Sequence, residues 1–547
     1  MELFSLLHLS KEEELETSRI AWQCFLTVEE ERFVSIPEIP ESLNAASIFI
    51  DRHVSEGCGD RIALRWNDRR ITYAELAANV NRAGNMFLRL GIRPEERVLL
   101  AVLDSPEFVY SFWGAVKIGA VPVPVNTFLR ADEYAYLLDN SRAVACVASQ
   151  EVWPTIMTVA ARRLQHCIRV GADEANAASF WKLMEHESSA LDPEPTHRDD
   201  MALWLYSSGS TGAPKGVVHL HRSLLYCAAT YAEEVLGVGP DDITLSAARL
   251  FFAYGLGGGI SFALHAGGTA ALVSDRPTPE GMFAAIHDHR PTIFFGVPTL
   301  YAAMLQMKEV ERKYDLSSLR LCVSAGEALP AELFKQWKER FGVEILDGIG
   351  STEALHIFLS NRAGQVRPGS SGTPVAGYEA RIIDEKGQDV PQGEVGDLII
   401  KGGSLTSGYW RRLDATRRAL QGEWLRTGDT YYQDADGVYW YCGRSDDMLK
   451  VSGQWVAPAE IEGLLFQHAA VLEAAVVGWE DENRLVKPKA FIVLKKGQTP
   501  SSTLADELQA FVKARTLPHK YPRWIEFVTE LPKTTTGKIQ RYKLRQA

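Results

Sequence analysis

Between Tyr206 and Gly216 the chain reads YSSGSTGAPKG, bringing Ser207, Ser208, Ser210 and Thr211 together with Gly209, Gly212, Gly216 and Lys215. These residue types suit a loop that wraps a polyphosphate. Glycines let backbone N–H groups approach phosphate oxygens, hydroxyls donate further hydrogen bonds, and a lysine adds a mobile point charge. A Walker loop, GxxxxGK[ST], needs Ser or Thr directly after its lysine, whereas Gly216 follows Lys215, which disfavours the usual P-loop ATPase or kinase. Plain surface loops share this composition. A lone Glu353 reads in the same way as a solvated charge, Lys538 as a solvent-facing lysine in a Gly-Lys turn, and the GD and GR pairs at Asp429 and Arg444 as turns.

The order of segments decides between these readings. YSSGSTGAPKG is followed by DGIGSTE (Asp347 to Glu353), TGD (Thr427 to Asp429), GRSDDMLKVSGQWVAPAEIE (Gly443 to Glu462) and PKTTTGKIQR (Pro532 to Arg541). In this order they resemble the motifs of the adenylate-forming enzymes: acyl-CoA and aryl-CoA synthetases, adenylation domains of peptide synthetases, and luciferases. The resemblance runs from about Ile62 to the end of the chain.

That resemblance implies roles. Ser207, Ser208, Gly209, Ser210, Thr211, Gly212 and Lys215 would hold the β- and γ-phosphates of ATP, Thr352 would bond the α-phosphate, and Glu353 would be the Mg²⁺ ligand or hold its water shell. Gly326, Glu327, Asp347, Gly348 and Ile349 would border the nucleotide, with Ile349 an aliphatic contact where the family often stacks an aromatic ring. Asp429 would accept both ribose hydroxyls with Arg444 as its partner. Lys538 would bridge the attacking carboxylate and the α-phosphate, Asp446 would be a hinge, and Gly453 would leave room for the pantetheine arm of coenzyme A.

LFFAYGLGGG (Leu250 to Gly259), SAGEALP (Ser324 to Pro330) and EALHIFLSN (Glu353 to Asn361) resemble more closely the benzoate-CoA ligase subgroup. Carried over by motif, Tyr254, Ala325, Gly350, His356 and Ile357 would line an aryl slot, the small Ala325 and Gly350 making room for a flat ring. Without that context FFAYG is a core strand and turn, and His356 a structural histidine. The implied activity is an AMP-forming ligase joining benzoate or a small substituted benzoate to coenzyme A, with ATP and Mg²⁺. A stand-alone adenylation enzyme loading a carrier protein is the alternative, and a luciferase-like oxygenase has no positive feature here, the terminal RQA lacking the peroxisomal SKL.

The elements that must position these residues read as α/β. Runs such as RVLLAVL (Arg97 to Leu103) and VPVPV (Val121 to Val125) alternate with helical stretches such as Thr72 to Gly91, where Thr72 and Glu75 form a capping box and Gly91 ends the helix. The expected architecture is a large N-terminal domain of mixed sheets with packed helices (1–443) and a small mobile α+β C-terminal domain (444–547), with EAAVVGW and KAFIVL as strands of the latter. The first thirty residues, with KEEELE, read as a surface helix or loosely ordered tail.

A chain of 547 residues, 46% hydrophobic, can bury several cores. Its net charge of −12 argues against broad nucleic-acid affinity, and the seven cysteines show no CxxC pair of a zinc site or disulfide framework. With no signal-like start and no membrane-length apolar run, a cytoplasmic protein without a membrane partner is expected, a homodimer being an assembly the resemblance allows.

One expectation follows for residues Lys538 and Gly453. Lys538→Ala should abolish acyl-AMP formation while leaving supplied acyl-AMP reactive with coenzyme A, and Gly453→Leu should do the reverse, each by about 10² or more in the affected half-reaction. Pyrophosphate exchange and thioester release measure the two steps. Equal depression of both steps by both changes would refute the alternation.

Overall fold

The computed structural model describes residues 38–159, 164–171, 178–207, 213–445, 447–451, 454–482, 485–516, 520–533 and 539–545. The N-terminal tail expectation lies outside them.

The helix Tyr73–Arg89 starts where Thr72 Oγ1 accepts from the Glu75 amide at 3.2 Å and a Glu75 carboxylate oxygen accepts from the Thr72 amide at 2.9 Å. It ends before Gly91, whose φ of 82° is the left-handed conformation a glycine adopts without strain. The strand Arg97–Ala101 pairs in parallel with Val121–Pro124 and Ala145–Ser149, through the crossover helix Pro106–Lys117, as the branched runs predicted. All 12 residues of that helix are buried, Glu107, Ser111 and Lys117 among them, and Lys117 is paired with Asp51 at 2.7 Å.

A second sheet, nine-stranded among the described residues, holds most of the site. Its parallel strands lie in the spatial order Ile345–Gly350, Leu321–Ser324, Ile293–Gly296, Ile243–Ser246, Thr269–Leu272 and Ile62–Trp66. Antiparallel strands close both edges, Arg69–Thr72 at one and Ile357–Ser360 with Thr373–Pro374 at the other. Met201–Ser207, Lys215–Leu220 and Gly408–Tyr409 form a three-stranded antiparallel sheet, and Trp424–Gln433 with Tyr439–Arg444 belongs to a five-stranded one.

From Leu449 onward the chain builds two hydrophobic cores of its own. The antiparallel pair Val471–Glu480 and Val486–Leu494 takes Trp524–Phe527 as a parallel third strand, and helices Pro458–Phe466 and Ser502–Lys513 pack with it. This is a small α+β domain following a large α/β one. Among the described residues no helix is long and apolar enough to cross a membrane.

Two sheets are tied together by a buried ion pair. Arg249, beyond the strand Ile243–Ser246, approaches Asp104, beyond Arg97–Ala101, at 3.6 Å, with both side chains 8% exposed. Arg249 also donates to the carbonyls of Val273 at 2.9 Å and Asp275 at 2.7 Å, while Asp104 accepts from the Leu250 amide at 3.2 Å. Burial pushes the Asp104 carboxyl up to about 6 despite the guanidinium. Arg249→Met leaves this acid without its partner and should destabilise the protein by about 3–5 kcal/mol at alkaline pH. The loss should shrink as the pH is lowered and Asp104 takes up a proton. Urea unfolding at pH 8 and pH 6 checks it, and a loss that does not shrink counts against the pairing.

Candidate active site

The carboxyl ends of Ile293–Gly296, Leu321–Ser324 and Ile345–Gly350 open onto one cavity of about 2140 Å³. Ligands of open α/β sheets sit at this edge, and the volume exceeds the roughly 300–1,000 Å³ of a single small-molecule pocket. Asp429 and Arg444 lie on its wall, and so do Glu460, Glu462 and Arg541 of the C-terminal domain. Every expected site residue that the structure describes lines this cavity: Ser207, Lys215, Tyr254, Ala325, Gly326, Glu327, Asp347, Gly348, Ile349, Gly350, Thr352, Glu353, His356, Ile357, Asp429 and Arg444. Ser208, Gly209, Ser210, Thr211, Gly212, Asp446, Gly453 and Lys538 lie outside the described residues.

Ser207 ends one strand and Lys215 begins the next, directly opposite each other in the antiparallel register, and both line the cavity. Glu353 sits in the short helix Thr352–Ala354, which Ser351 caps by accepting from the Ala354 amide at 3.2 Å. One carboxylate oxygen, Oε1, accepts from the Tyr409 hydroxyl at 2.9 Å and from the Ser207 hydroxyl at 3.3 Å. The Glu353 carbonyl accepts from the Thr406 amide at 2.7 Å. Beneath the turn, His219 Nε2 lies 2.7 Å from the Thr352 carbonyl. Burial pushes this histidine down to about 4, so the ring is neutral near pH 7 and its one proton is on the nitrogen facing the carbonyl. The donor chemistry suits a hard cation that keeps most of its waters: a single carboxylate on a cavity wall, with one oxygen held by hydroxyls.

Asp429 and Arg444 face each other across neighbouring strands, with Arg444 Nη1 donating to Asp429 Oδ1 and to the Thr427 carbonyl, both at 3.0 Å. Gly428 makes this approach feasible: its φ is 74°, and a Cβ there would stand 2.6 Å from the Arg444 guanidinium. The pair expected from TGD and GR is therefore built. Asp347 differs from expectation in what its carboxyl does. It is buried, accepts from the Leu329 amide at 3.3 Å and so pins the turn carrying Ala325, Gly326 and Glu327, and burial pushes it up to about 8.

The aryl-slot residues meet as a cluster of rings. The Tyr254 hydroxyl donates to the carbonyls of Gly296 and Val323, each at 3.0 Å, at the ends of two parallel strands. His356 is buried among Phe262, Tyr231 and Tyr254, with ring centroids 4.5, 5.2 and 5.6 Å away. Burial pushes it down to about 3, and its Nε2 faces the Tyr254 carbonyl at 3.4 Å. Ala325 and Ile357 complete the wall.

Gly350 lines the cavity and also answers the close approach of the strand Ile357–Ser360: a Cβ there would stand 2.5 Å from the His356 carbonyl oxygen. The GLGGG run has a comparable explanation: a Cβ would stand 2.4 Å from the His356 ring at Gly257 and 2.5 Å from the Phe295 ring at Gly258. Sequence reasoning missed Tyr409, whose only signal was the aromatic after Gly408, and His219, whose only signal was a histidine in an apolar strand.

PKTTTGKIQR ends in Arg541, which Glu462 clasps through bonds of 2.8 and 2.9 Å, while the Gln540 amide donates to the Pro532 carbonyl at 2.7 Å. These bonds hold both flanks of residues 534–538.

The family model of the AMP-binding enzymes matches residues 50–410, and that of the AMP-binding enzyme C-terminal domain matches residues 460–538. A benzoate–CoA ligase of Thauera aromatica is 50% identical over 514 residues, 93% of this chain and 97% of the relative. A 4-hydroxybenzoate–CoA/benzoate–CoA ligase of Rhodopseudomonas palustris is 47% identical over 506 residues, 92% and 94% of the two chains. The crystal structure of the anthranilate CoA ligase AuaEII in complex with anthranoyl-AMP superposes with a TM-score of 0.90 at 44% identity, over 93% of this chain and 98% of that one.

Asp347 should leave a pH signature. A carboxyl whose folded-state pKa is raised from 3.8 to about 8 binds a proton in the folded state that the unfolded state has lost, so its contribution falls as pH rises between those values. Asp347→Asn removes this dependence and keeps an acceptor for the Leu329 amide. Relative to wild type the variant should gain up to about 1.4 kcal/mol per pH unit across that window. Urea unfolding at pH 5, 6.5 and 8 measures the difference, and a gap that stays constant or reverses would contradict the assignment.

Proposed function

The chain belongs to the AMP-binding enzyme family, and on that premise we propose an aryl-CoA ligase acting on benzoate or a small hydroxy- or amino-substituted benzoate. It is an acid–thiol ligase that forms AMP, and its substrates are an aromatic carboxylate, ATP and coenzyme A. The observation that carries the aryl reading is the slot of Tyr254, Ala325, His356 and Ile357 opening on the same cavity as Thr352 and Glu353. Relatives named for benzoate, 4-hydroxybenzoate and anthranilate support the same substrate class. Loading of a carrier protein is not favoured, since these relatives are named as CoA ligases and match over nine-tenths of the chain.

In the first step the acid's carboxylate attacks the α-phosphorus and pyrophosphate leaves; in the second the coenzyme A thiol displaces AMP from the mixed anhydride. Both partners of the first step are anions, so the protein's task is to hold them together and offset their charge. We assign Ser207, Lys215 and, by motif, Ser208 to Gly212 to the terminal phosphates, Thr352 to the α-phosphate, and Asp429 with Arg444 to the ribose. Glu353 would hold Mg²⁺, whose charge would offset that of the phosphates. Tyr254 and His356 stay neutral at working pH, so the slot presents the ring with faces and edges rather than charge.

A domain boundary at Gly443/Arg444 with Asp446 as hinge, withdrawal of Lys538 and entry of Gly453 between the steps, a homodimer, a cytoplasmic location, and no nucleic-acid or membrane partner complete the proposal. Incubation with benzoate, ATP, Mg²⁺ and coenzyme A should yield AMP, pyrophosphate and a thioester; ADP would refute the ligase assignment. Across a panel of acids, small benzoates should be preferred to acetate by more than about a hundredfold, since each methylene-sized mismatch is worth about 1–3 kcal/mol. A profile peaking at long-chain acids would overturn the aryl reading.

A further inference from the structure

We propose that Tyr409 is a positioning residue for the cation and the terminal phosphates: it fixes which oxygen of Glu353 meets the metal and stations the Lys215 charge beside it. The inference rests on the reading that Glu353 faces Mg²⁺·ATP.

Tyr409 is itself held on several sides. Its strand pairs with Lys215–Leu220, Gly408 opposite Val218 and Tyr409 opposite Val217. On either side of it, the Thr406 amide donates to the Glu353 carbonyl at 2.7 Å and the Trp410 amide donates to the Gly216 carbonyl at 2.8 Å. The Trp410 ring packs on Trp204 at 4.7 Å and donates through Nε1 to the Asn140 carbonyl at 3.0 Å. The segment 406–410 thus grips Glu353 by its main chain and its side chain, and Tyr409 has no freedom to follow a moving carboxylate.

What Tyr409 offers is a fixed donor: its phenol O–H, carried on a paired strand, donates to Oε1 at 2.9 Å. Ser207 gives a second, longer bond to the same oxygen, and among the described residues Oε2 accepts no side-chain or main-chain hydrogen bond. A carboxylate with both oxygens occupied would have to break a bond to take a cation, and one with neither fixed would have to be ordered by it. Holding a single oxygen avoids both costs.

The other face of the residue works on charge. The Lys215 ammonium lies 4.6 Å from the Tyr409 ring centroid, within cation–π range. The ring therefore keeps Lys215 beside the carboxylate, yet without an ion pair that would neutralise either group before phosphate arrives. Lys215 and Glu353 are expected from the sequence to act on ATP; Tyr409 is the element that spaces them.

The test uses the full chain and Tyr409→Phe, which removes the hydroxyl but keeps the ring over Lys215. The probe is Mn²⁺, followed by electron paramagnetic resonance with the non-cleavable analogue α,β-methylene-ATP. The variant should bind Mn²⁺ about tenfold more weakly in the ternary complex, with metal-free AMP binding and the KM for benzoate within twofold of wild type. Tyr409→Phe added to Glu353→Gln should cause no further loss, because the hydroxyl acts through that carboxylate. Unchanged Mn²⁺ affinity in Tyr409→Phe, or losses that add in the double variant, would overturn the inference while leaving the ligase assignment standing. Should wild type itself neither bind Mn²⁺ with the analogue nor form AMP from benzoate, the functional reading falls and the inference with it. Circular dichroism and thermal melting of each variant separate these outcomes from misfolding, and Ser207→Ala, which removes the second donor, should give a smaller shift in the same direction.

Discussion

Two hydrogen bonds to one oxygen of Glu353 join segments far apart in the chain, from Ser207, 146 residues earlier, and Tyr409, 56 residues later. Hydroxyl donors hold the carboxylate without placing a compensating positive charge on it, which suits the cation role proposed for it. The three-stranded sheet, the capped turn at Thr352 and the buried neutral His219 below it all serve to keep this one side chain in place. Glu353 itself follows the carboxyl end of the parallel strand Ile345–Gly350, where a backbone turn can present a side chain to a cavity without breaking the ladder, and its partners come from the antiparallel sheet beside it.

The end of the cavity around Tyr254 and His356, proposed for the acyl group, follows a different physics. Its residues are apolar or neutral, and its polar atoms point away: the Tyr254 hydroxyl to carbonyls of the sheet, His356 Nε2 to the Tyr254 carbonyl. With the Tyr254 hydroxyl and His356 Nε2 engaged internally, most of the surface left for a ligand is ring faces and aliphatic side chains, which favour a flat apolar body. Glycines at 257, 258 and 350 let rings and main chain approach closely enough to close that surface. One cavity thus has a charged end and a dry end, which is what joining an aromatic carboxylate to a triphosphate asks of it.

The C-terminal domain contributes a third wall while building cores of its own. Its cores begin at Leu449, yet Glu460, Glu462 and Arg541 line the same cavity. The Arg541–Glu462 clasp lies within this domain, so the flanks of the lysine-bearing segment keep their geometry relative to helix Pro458–Phe466 whatever the domain as a whole does. Half-buried, bidentate pairs of this kind are directional, which suits them to holding a segment in register.

Much of the fold was legible in the chain. The capping box at Thr72, the branched runs at Arg97 and Val121, and the strand-like segments of the last hundred residues are local signals, set by hydrogen bonds and periodicity within a few residues. Ordered motifs likewise marked Asp429 with Arg444 and Glu353 with Thr352, because chemistry that needs particular side chains leaves them at fixed places in the sequence. Tertiary structure alone decided the rest. Nothing local says that Tyr409 would bond Glu353, that Asp347 would turn its carboxyl to the Leu329 amide, or that Gly350 answers to the His356 carbonyl. Those relations depend on which strands become neighbours and in what register, and register is settled by the burial of whole faces of a sheet, a property of the packed chain and not of any segment in it.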